Sequence, residues 1–303
     1  MRSTASVVFA GPASPGLTLS PLRRGRADPC YRDDVDGAIW RTSLMRTGPV
    51  TARISRSATD TVDCESWGAG AAEFTDTLPA LLGAADDAAG FVPAEPTIAK
   101  AHRRVPHLRL GRTGRVLEAL VPAILEQRVY GKDARRAWRT LVTEYGAPAP
   151  GPAPAGMRVP PTADAWKRVP SWKFHLANVD PGRARTVVGC AQRADAVERL
   201  VQRSPEAARA ALMSLPGVGI WTAAETAQRA FGDADALSIG DYHLAKMVGW
   251  SLLGRPIDDG QMIELLAPLA PHRHRAVRLL EASGMAVNPR FGPRMALPNL
   301  AEL

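Results

Sequence analysis

Between Leu215 and Ala223 the chain reads Leu-Pro-Gly-Val-Gly-Ile-Trp-Thr-Ala, and this string limits the available folds more than any other. Ser204-Pro205-Glu206 reads as a helix start, with Ser204 as N-cap and Pro205 in the first helical position. Ala208, Ala211, Leu212 and Leu215 follow at helical spacing, and Pro216 ends the run. Gly217 and Gly219 allow positive φ and leave no Cβ in the way of a ligand. A second helix is expected from about Thr222 to Gly232-Asp233. A glycine turn ahead of a helix start presents N–H groups to an anion. Such a turn grips a phosphate backbone rather than base edges, so it binds nucleic acid without sequence preference.

Downstream, Ile239-Gly240-Asp241-Tyr242-His243-Leu244-Ala245-Lys246 places one carboxylate at another expected helix start, over Tyr242–Leu253. Asp241 reads as an ordinary N-cap. The same position suits chemistry, because the positive end of a helix favours an ionised carboxylate. An ionised carboxylate can face the oxocarbenium-like sugar that forms when a glycosidic bond breaks, or it can guide a water.

The hairpin and the acid resemble the helix-hairpin-helix DNA glycosylase superfamily, and within it the alkylbase-excising DNA-3-methyladenine glycosylase II branch. The likeness is strongest over 115–285. Ala123-Ile124-Leu125-Glu126-Gln127-Arg128-Val129 resembles the segment that approaches the DNA opposite a flipped base in that family. Gly37–Arg41 and Gly48–Thr51 resemble strands of its leading domain. The resemblance implies a mostly helical fold, two helical subdomains flanking a cleft, behind a small antiparallel β-sheet domain. The division expected is 1–112 for the β-rich part and 113–303 for the helical part.

By the same resemblance, Asp241 is the catalytic acid, and Trp221 and Tyr242 are aromatic walls of the base pocket. Gly217, Val218, Gly219, Thr222, Gln127, Arg128 and Lys246 are the expected DNA contacts. The residues alone leave Trp221 and Tyr242 open as ordinary core aromatics. Two departures stand out. Relatives that also cut the strand carry a lysine where this chain has Trp221, so the reading is a monofunctional enzyme without lyase activity. Lys246, five residues past Asp241, lies about 140° around a helix from it and suits a phosphate better. Arg128 stands where the branch tends to carry an apolar wedge; it can fill a vacated base stack or simply form a surface ion pair. The resemblance implies that His272 or a neighbour stands where relatives carry another pocket aromatic, whereas the residues themselves read His272 and His274 as exposed at a helix start.

The resemblance therefore implies excision of alkylated purines, 3-methyladenine-like, from double-stranded DNA in base excision repair, leaving an abasic site. A glycosylase of the same fold for another damaged base, or a non-catalytic DNA-binding or damage-sensing module, is the alternative. A monovalent cation at the hairpin is the only bound species implied, and the acting unit is expected to be a monomer.

Composition agrees with a polyanion partner. Lys and Arg total 38 against 30 Asp and Glu, a formal charge of +8 over 303 residues. No run approaches the ~18 apolar residues needed to cross a bilayer. The apolar run Val7–Ala10 is too short for a secretion signal, so the expected setting is cytoplasmic, at the nucleoid. Cys30, Cys64 and Cys190 are widely separated, with neither zinc spacing nor the clustered cysteines of an iron–sulfur site.

Elsewhere, 1–29 is expected to be loose apart from a short strand at Leu17-Thr18-Leu19. Strands are expected within 37–67, a short helix from Thr77, and nearly continuous helix from Thr113. The prolines at 148, 150, 152, 154, 160 and 161 suggest an extended surface insertion over 147–161. Helices are expected from Asp180-Pro181 to Gln192, from Asp259 to Leu269 and from Arg273 to Ser283, with coil from Gly284 to Leu303.

Overall fold

The computed structural model describes residues 1–289. The expected coil beyond Pro289, and the arginines near 290–294, lie outside the described residues.

The leading part is a five-stranded antiparallel sheet: β1 (Arg2–Val8), β2 (Tyr31–Asp33), β3 (Ile39–Met45), β4 (Gly48–Arg56) and β5 (Thr61–Trp67), in the order β1-β5-β4-β3-β2. Val50, Ala52 and Ile54 of β4 alternate into a core with Val62 and Cys64 of β5. Helix α2 (Ala71–Leu81) covers them with Phe74, Leu78 and Leu81. This helix begins six residues before the expected start at Thr77 and carries Pro79 within its last turn. The apolar stripe facing the sheet outweighs the proline's missing donor.

Two expectations for the first 29 residues are corrected. Arg2–Val8 forms strand β1 at the sheet edge, where small polar residues give almost no period-2 signal. Leu17-Thr18-Leu19 belongs to a short helix, α1 (Pro15–Leu19), with Pro15 at its first position and the Ser14 hydroxyl accepting from Leu17 N. Helix α3 (Pro96–Arg104) was not foreseen; Glu95 caps it through Ile98 N at 2.6 Å.

The helical part is built around α4 (Val116–Leu125), buried along its whole length. Its first turn is tied to the sheet, since Glu118 accepts from Arg41 Nη2 at 2.5 Å and from the Ser43 hydroxyl at 2.6 Å. Around it pack α5 (Gly131–Tyr145), α6 (Ala163–Arg168), α7 (Ser171–Leu176), α8 (Pro181–Gln192), α9 (Ala194–Glu198), α10 (Pro205–Met213) and α11 (Ile220–Ala230). The segment 147–161 is a small hairpin rather than a free insertion. Strands β6 (Ala147–Pro148) and β7 (Arg158–Val159) pair, and Arg158 is held by Pro29 O and by the Thr42 hydroxyl. Met157 and Val159 are buried against the body.

A second core joins α3 to α12 (Leu244–Leu253), α13 (Asp259–Leu266) and α14 (Arg273–Ala282), through Ile98, Leu108, Val248, Met262 and Leu280. Phe91, Ile98, Ala101 and Leu108 therefore pack with the C-terminal helices. The Asp86 carboxylate fixes this arrangement in a buried two-point pair with Arg275, Nη1 to Oδ2 at 2.9 Å, and also accepts from Leu110 N. The expected cap of α13 moves one residue, to Asp258, which forms a reciprocal capping box with Gln261.

Candidate active site

The hairpin follows from its local chemistry. Ser204 caps α10 through Ala207 N, and Gly217 adopts φ +82°, open to glycine at little cost. A Cβ on Gly217 would stand 2.1 Å from the Thr186 hydroxyl of α8, so the position is closed to side chains on two counts. Gly219, the N-cap of α11, has φ −94° and nothing within 4 Å of its Cβ position. Behind it lie the first amides of α11, which have no intrahelical acceptor.

Not every expected DNA contact faces outward. The Val218 side chain is buried and its amide donates to Leu215 O at 3.0 Å. Thr222 is 2% exposed, and its hydroxyl accepts from Gln127 Nε2 at 2.8 Å; the same nitrogen donates to Gly217 O at 3.0 Å. Gln127, Thr222 and Val218 thus brace the hairpin against the end of α4. Gly217, Gly219, Arg128 and Lys246 are left at the surface. Arg128 holds the left-handed region at φ +53°, which a non-glycine residue rarely adopts.

Asp241 stands beside the hairpin. Its Oδ1 accepts from His243 N at 2.8 Å and Leu244 N at 3.0 Å, which moves the start of α12 from the expected Tyr242 to Leu244. Its Oδ2 accepts from the Trp221 indole N–H at 3.1 Å. The structure thus brings Asp241 and Trp221 together through a hydrogen bond. Tyr242 is 76% exposed, with Lys246 Nζ 4.2 Å from its ring centroid and His243 against its edge.

Asp241 also lines a cavity of about 320 Å³ between α11, α12, α14 and the N-terminal segment around α1. That volume lies at the small end of the range for ligand pockets. Neither Trp221 nor Tyr242 is among its lining residues. Its polar lining includes Glu225, Gln228 and Arg229 of α11, Ser238, His243 and His274, of which only His243 and His274 lie in stretches singled out in the sequence. The signal existed in the chain: Trp221, Glu225, Gln228 and Arg229 recur at i, i+4, i+7 and i+8, a polar stripe on the hairpin's second helix.

Glu225 accepts from Arg229 Nη1 at 2.8 Å and from the Ser238 hydroxyl. Burial pushes its pKa up, but Arg229, Ser238 and Arg24 outweigh this and hold it below the usual carboxylate range. Gln228 Nε2 donates to Ser238 Oγ and Ala236 O, each at 2.9 Å. His274 is 8% exposed, against the expectation of an exposed helix start, because the first turn of α14 faces the cavity. Burial, then Arg278, Arg229 and Arg275, hold its imidazole well below the ordinary histidine range. His272 lies elsewhere, edge-on to Phe91 at 5.2 Å.

No family model matches the chain. Two curated relatives from Mycobacterium tuberculosis strains, each called a probable bifunctional transcriptional activator/DNA repair enzyme AlkA, are 33% identical over 170 residues. The match covers 52% of this chain and 32% of the relative, so the chain spans about a third of the length of those proteins. Among solved structures, a 3-methyladenine DNA glycosylase from Archaeoglobus fulgidus superposes with a TM-score of 0.77 at 16% identity, covering 93% of this chain and 100% of that one. A Clostridium acetobutylicum 8-oxoguanine glycosylase/lyase gives 0.71 at 12% identity, covering 93% and 98%. The chain has the fold of the helix-hairpin-helix DNA glycosylases and is related in sequence to AlkA-type DNA repair proteins.

Proposed function

We propose that the protein is a DNA glycosylase of base excision repair that flips a damaged purine out of double-stranded DNA and hydrolyses its glycosidic bond. The single observation that carries this is Asp241. One carboxylate is held by three donors, joined to the hairpin through Trp221 and open to a cavity. The names of the AlkA relatives and the Archaeoglobus fulgidus enzyme favour alkylated purines as the class removed.

In this reading Gly219 and the first amides of α11 take a backbone phosphate, and Arg128 enters the stack vacated by the flipped base. Flipping costs a few kcal/mol, less where damage has weakened the pair. The Asp241 carboxylate faces the sugar, stabilising positive charge as the base departs and guiding water to it. The carbonyls of Leu215 and Gly217 each accept one hydrogen bond and keep a second lone pair. The turn's donor set therefore fits the monovalent cation that the resemblance implies, which would add positive charge near the phosphate.

The reaction is proposed to stop at the abasic site. An amine nucleophile is needed to open the sugar through a Schiff base. The hairpin position offers an indole instead, and Lys246 is turned to the Tyr242 ring. The protein is proposed to act as a monomer in the cytoplasm; among the described residues no helix is long and apolar enough to cross a membrane.

The test is release of free base from methylated duplex DNA by the native protein and by Asp241→Asn. Asparagine keeps an oxygen to cap α12 but not the charge. The variant is expected to bind duplex as the native protein does and to release no base. Turnover near the native rate would remove Asp241 from the mechanism, and borohydride trapping of the native protein on DNA would overturn the monofunctional reading. A specific observation favours a second reading, a different damaged base: the cavity beside Asp241 is lined by aliphatic side chains and hydrogen-bonding groups, and neither Trp221 nor Tyr242 is among them.

A further inference from the structure

The outer face of α5 carries Lys132, Arg135, Arg136 and Arg139, all exposed. They fall within an arc of about 100° on the helix, opposite the buried Ala134, Ala137, Trp138 and Leu141. Among the described residues none of the four makes an ion pair or a hydrogen bond. The carboxylates of the same helix do not answer them, since Asp133 lies off the arc and Glu144 is bound to Lys173. Arg229, Arg273 and Arg278, on other helices, each have a carboxylate. The arrangement is unfavourable by itself. Lys132 and Arg136, and Arg135 and Arg139, are like charges four residues apart, a spacing that destabilises a helix. Lys132 also stands in the first turn, at the positive end of the helix, where a cation is least favoured. His102, Arg103 and Arg104 of α3, by contrast, lie in a last turn, which favours them.

Resting on the reading of duplex DNA as substrate, we propose that this face of α5 is a second DNA-binding site, taking backbone phosphates of the duplex that the hairpin grips. A row of phosphates is the partner that relieves four clustered cations at once. The position of α5 agrees with this. The helix begins at Gly131, three residues after Arg128, and the Gln127 amide just before is bonded to the hairpin at Gly217 and Thr222. α5 therefore runs out from the hairpin's own support. From Lys132 to Arg139 it rises about 10 Å, the axial rise of about three nucleotides of one strand. Arg26 extends the patch. It is exposed, and a Cβ on its neighbour Gly25 would stand 2.9 Å from Arg135 Cδ. Contacts of this kind go to phosphate and read no bases, so the site adds affinity for duplex of any sequence.

The experiment measures the affinity of the protein for an undamaged duplex over a series of salt concentrations. Each phosphate contact contributes about 0.9 to the slope of log K against log salt. Arg135→Gln, Arg136→Gln and Arg139→Gln combined are expected to reduce that slope by about 2–3 and to weaken binding about tenfold or more. A control variant removes three exposed charges from the sheet, as Arg32→Gln, Arg46→Gln and Arg56→Gln, and is expected to keep the native slope. The α5 variant is expected to melt no lower than the native protein, because like charges have been separated. Arg136→Gln alone, expected to reduce the slope by about 1, keeps the test open if the triple variant melts early. An unchanged slope in the α5 variants overturns the proposal and leaves the stripe to an acidic protein surface. An equal reduction in the control overturns it too, by making the effect one of net charge. Base release from methylated duplex by the native protein is assayed separately. Its absence, with the α5 slope change present, overturns the glycosylase reading and leaves the DNA site on α5 standing.

Discussion

The indole N–H of Trp221 donates to Oδ2 of Asp241 at 3.1 Å, joining the first turn of the hairpin's second helix to the acid 20 residues on. The other oxygen is held by two amides of the following turn, so the carboxylate has one orientation. In the proposed mechanism this makes Trp221 a positioning residue, and the role can be separated from stacking. Trp221→Phe keeps an aromatic ring and deletes the donor. A hydrogen bond to a charged group contributes about 1.5–3 kcal/mol. The expected result is a fall in kcat of roughly tenfold to a hundredfold with KM and duplex affinity unchanged. A rise in KM at constant kcat would mean that the ring binds the base instead.

The two hairpin glycines serve different ends, and alanine separates them. Gly217 has positive φ and faces the Thr186 hydroxyl at a distance no Cβ tolerates. Gly217→Ala is expected to lower stability by about 1–3 kcal/mol, seen as a drop in Tm without DNA present. Gly219 has an ordinary φ and open space before it. Gly219→Ala is expected to melt like the native protein and to bind undamaged duplex more weakly whatever the sequence, since only a phosphate would meet the added methyl. Unchanged duplex affinity in Gly219→Ala would move the phosphate site away from this turn.

The hairpin was legible in the sequence because its signals are local. Ser204-Pro205, Pro216 and the two glycines each act within a few residues, and the structure places α10 and α11 within about two residues of the expected bounds. Asp180-Pro181 located α8 for the same reason. Strand β1 was not legible, since its pairing with β5 spans some sixty residues and its side chains are small and polar. Nor was the cavity wall. His274 looks like any histidine near a helix start until Arg229, three helices earlier in the chain, is seen to share its surroundings. That the Gln127 amide braces the hairpin was not legible either, since it depends on where two distant segments meet.

The Asp86–Arg275 pair holds the loop after α2 to the helix that carries His274, with both side chains almost wholly buried. Removing one partner of such a pair leaves an uncompensated buried charge, at a cost of about 3–5 kcal/mol. Asp86→Ala is expected to lose that much stability in denaturant titration. The double change Asp86→Ala with Arg275→Leu is expected to recover part of it, because the stranded charge is gone. A single variant within about 0.5 kcal/mol of native would show the pair to be dispensable.

Stability should also depend on pH in a way that reports on His274. Burial, with Arg278, Arg229 and Arg275 nearby, lowers its folded-state pKa well below 6.5, the value expected when unfolded. Below 6.5 the unfolded chain binds a proton there and the native chain does not, so acidification favours unfolding. His102 and His272 are shifted in the same direction, first by burial and then by Arg275, and add to the slope. Glu225, whose pKa is held low, contributes stability that is intact at these pH values and is lost only as pH falls below 4.5 toward its folded value. The decline in unfolding free energy between pH 6.5 and 5 is therefore a histidine effect, at most about 1.4 kcal/mol per pH unit for each group. His274→Asn should flatten that decline by up to one proton's worth while leaving the fall below pH 4.5 in place. An unchanged slope between pH 6.5 and 5 would mean that His274 is already protonated in the native protein, and with it the wall beside Asp241 would carry one more positive charge.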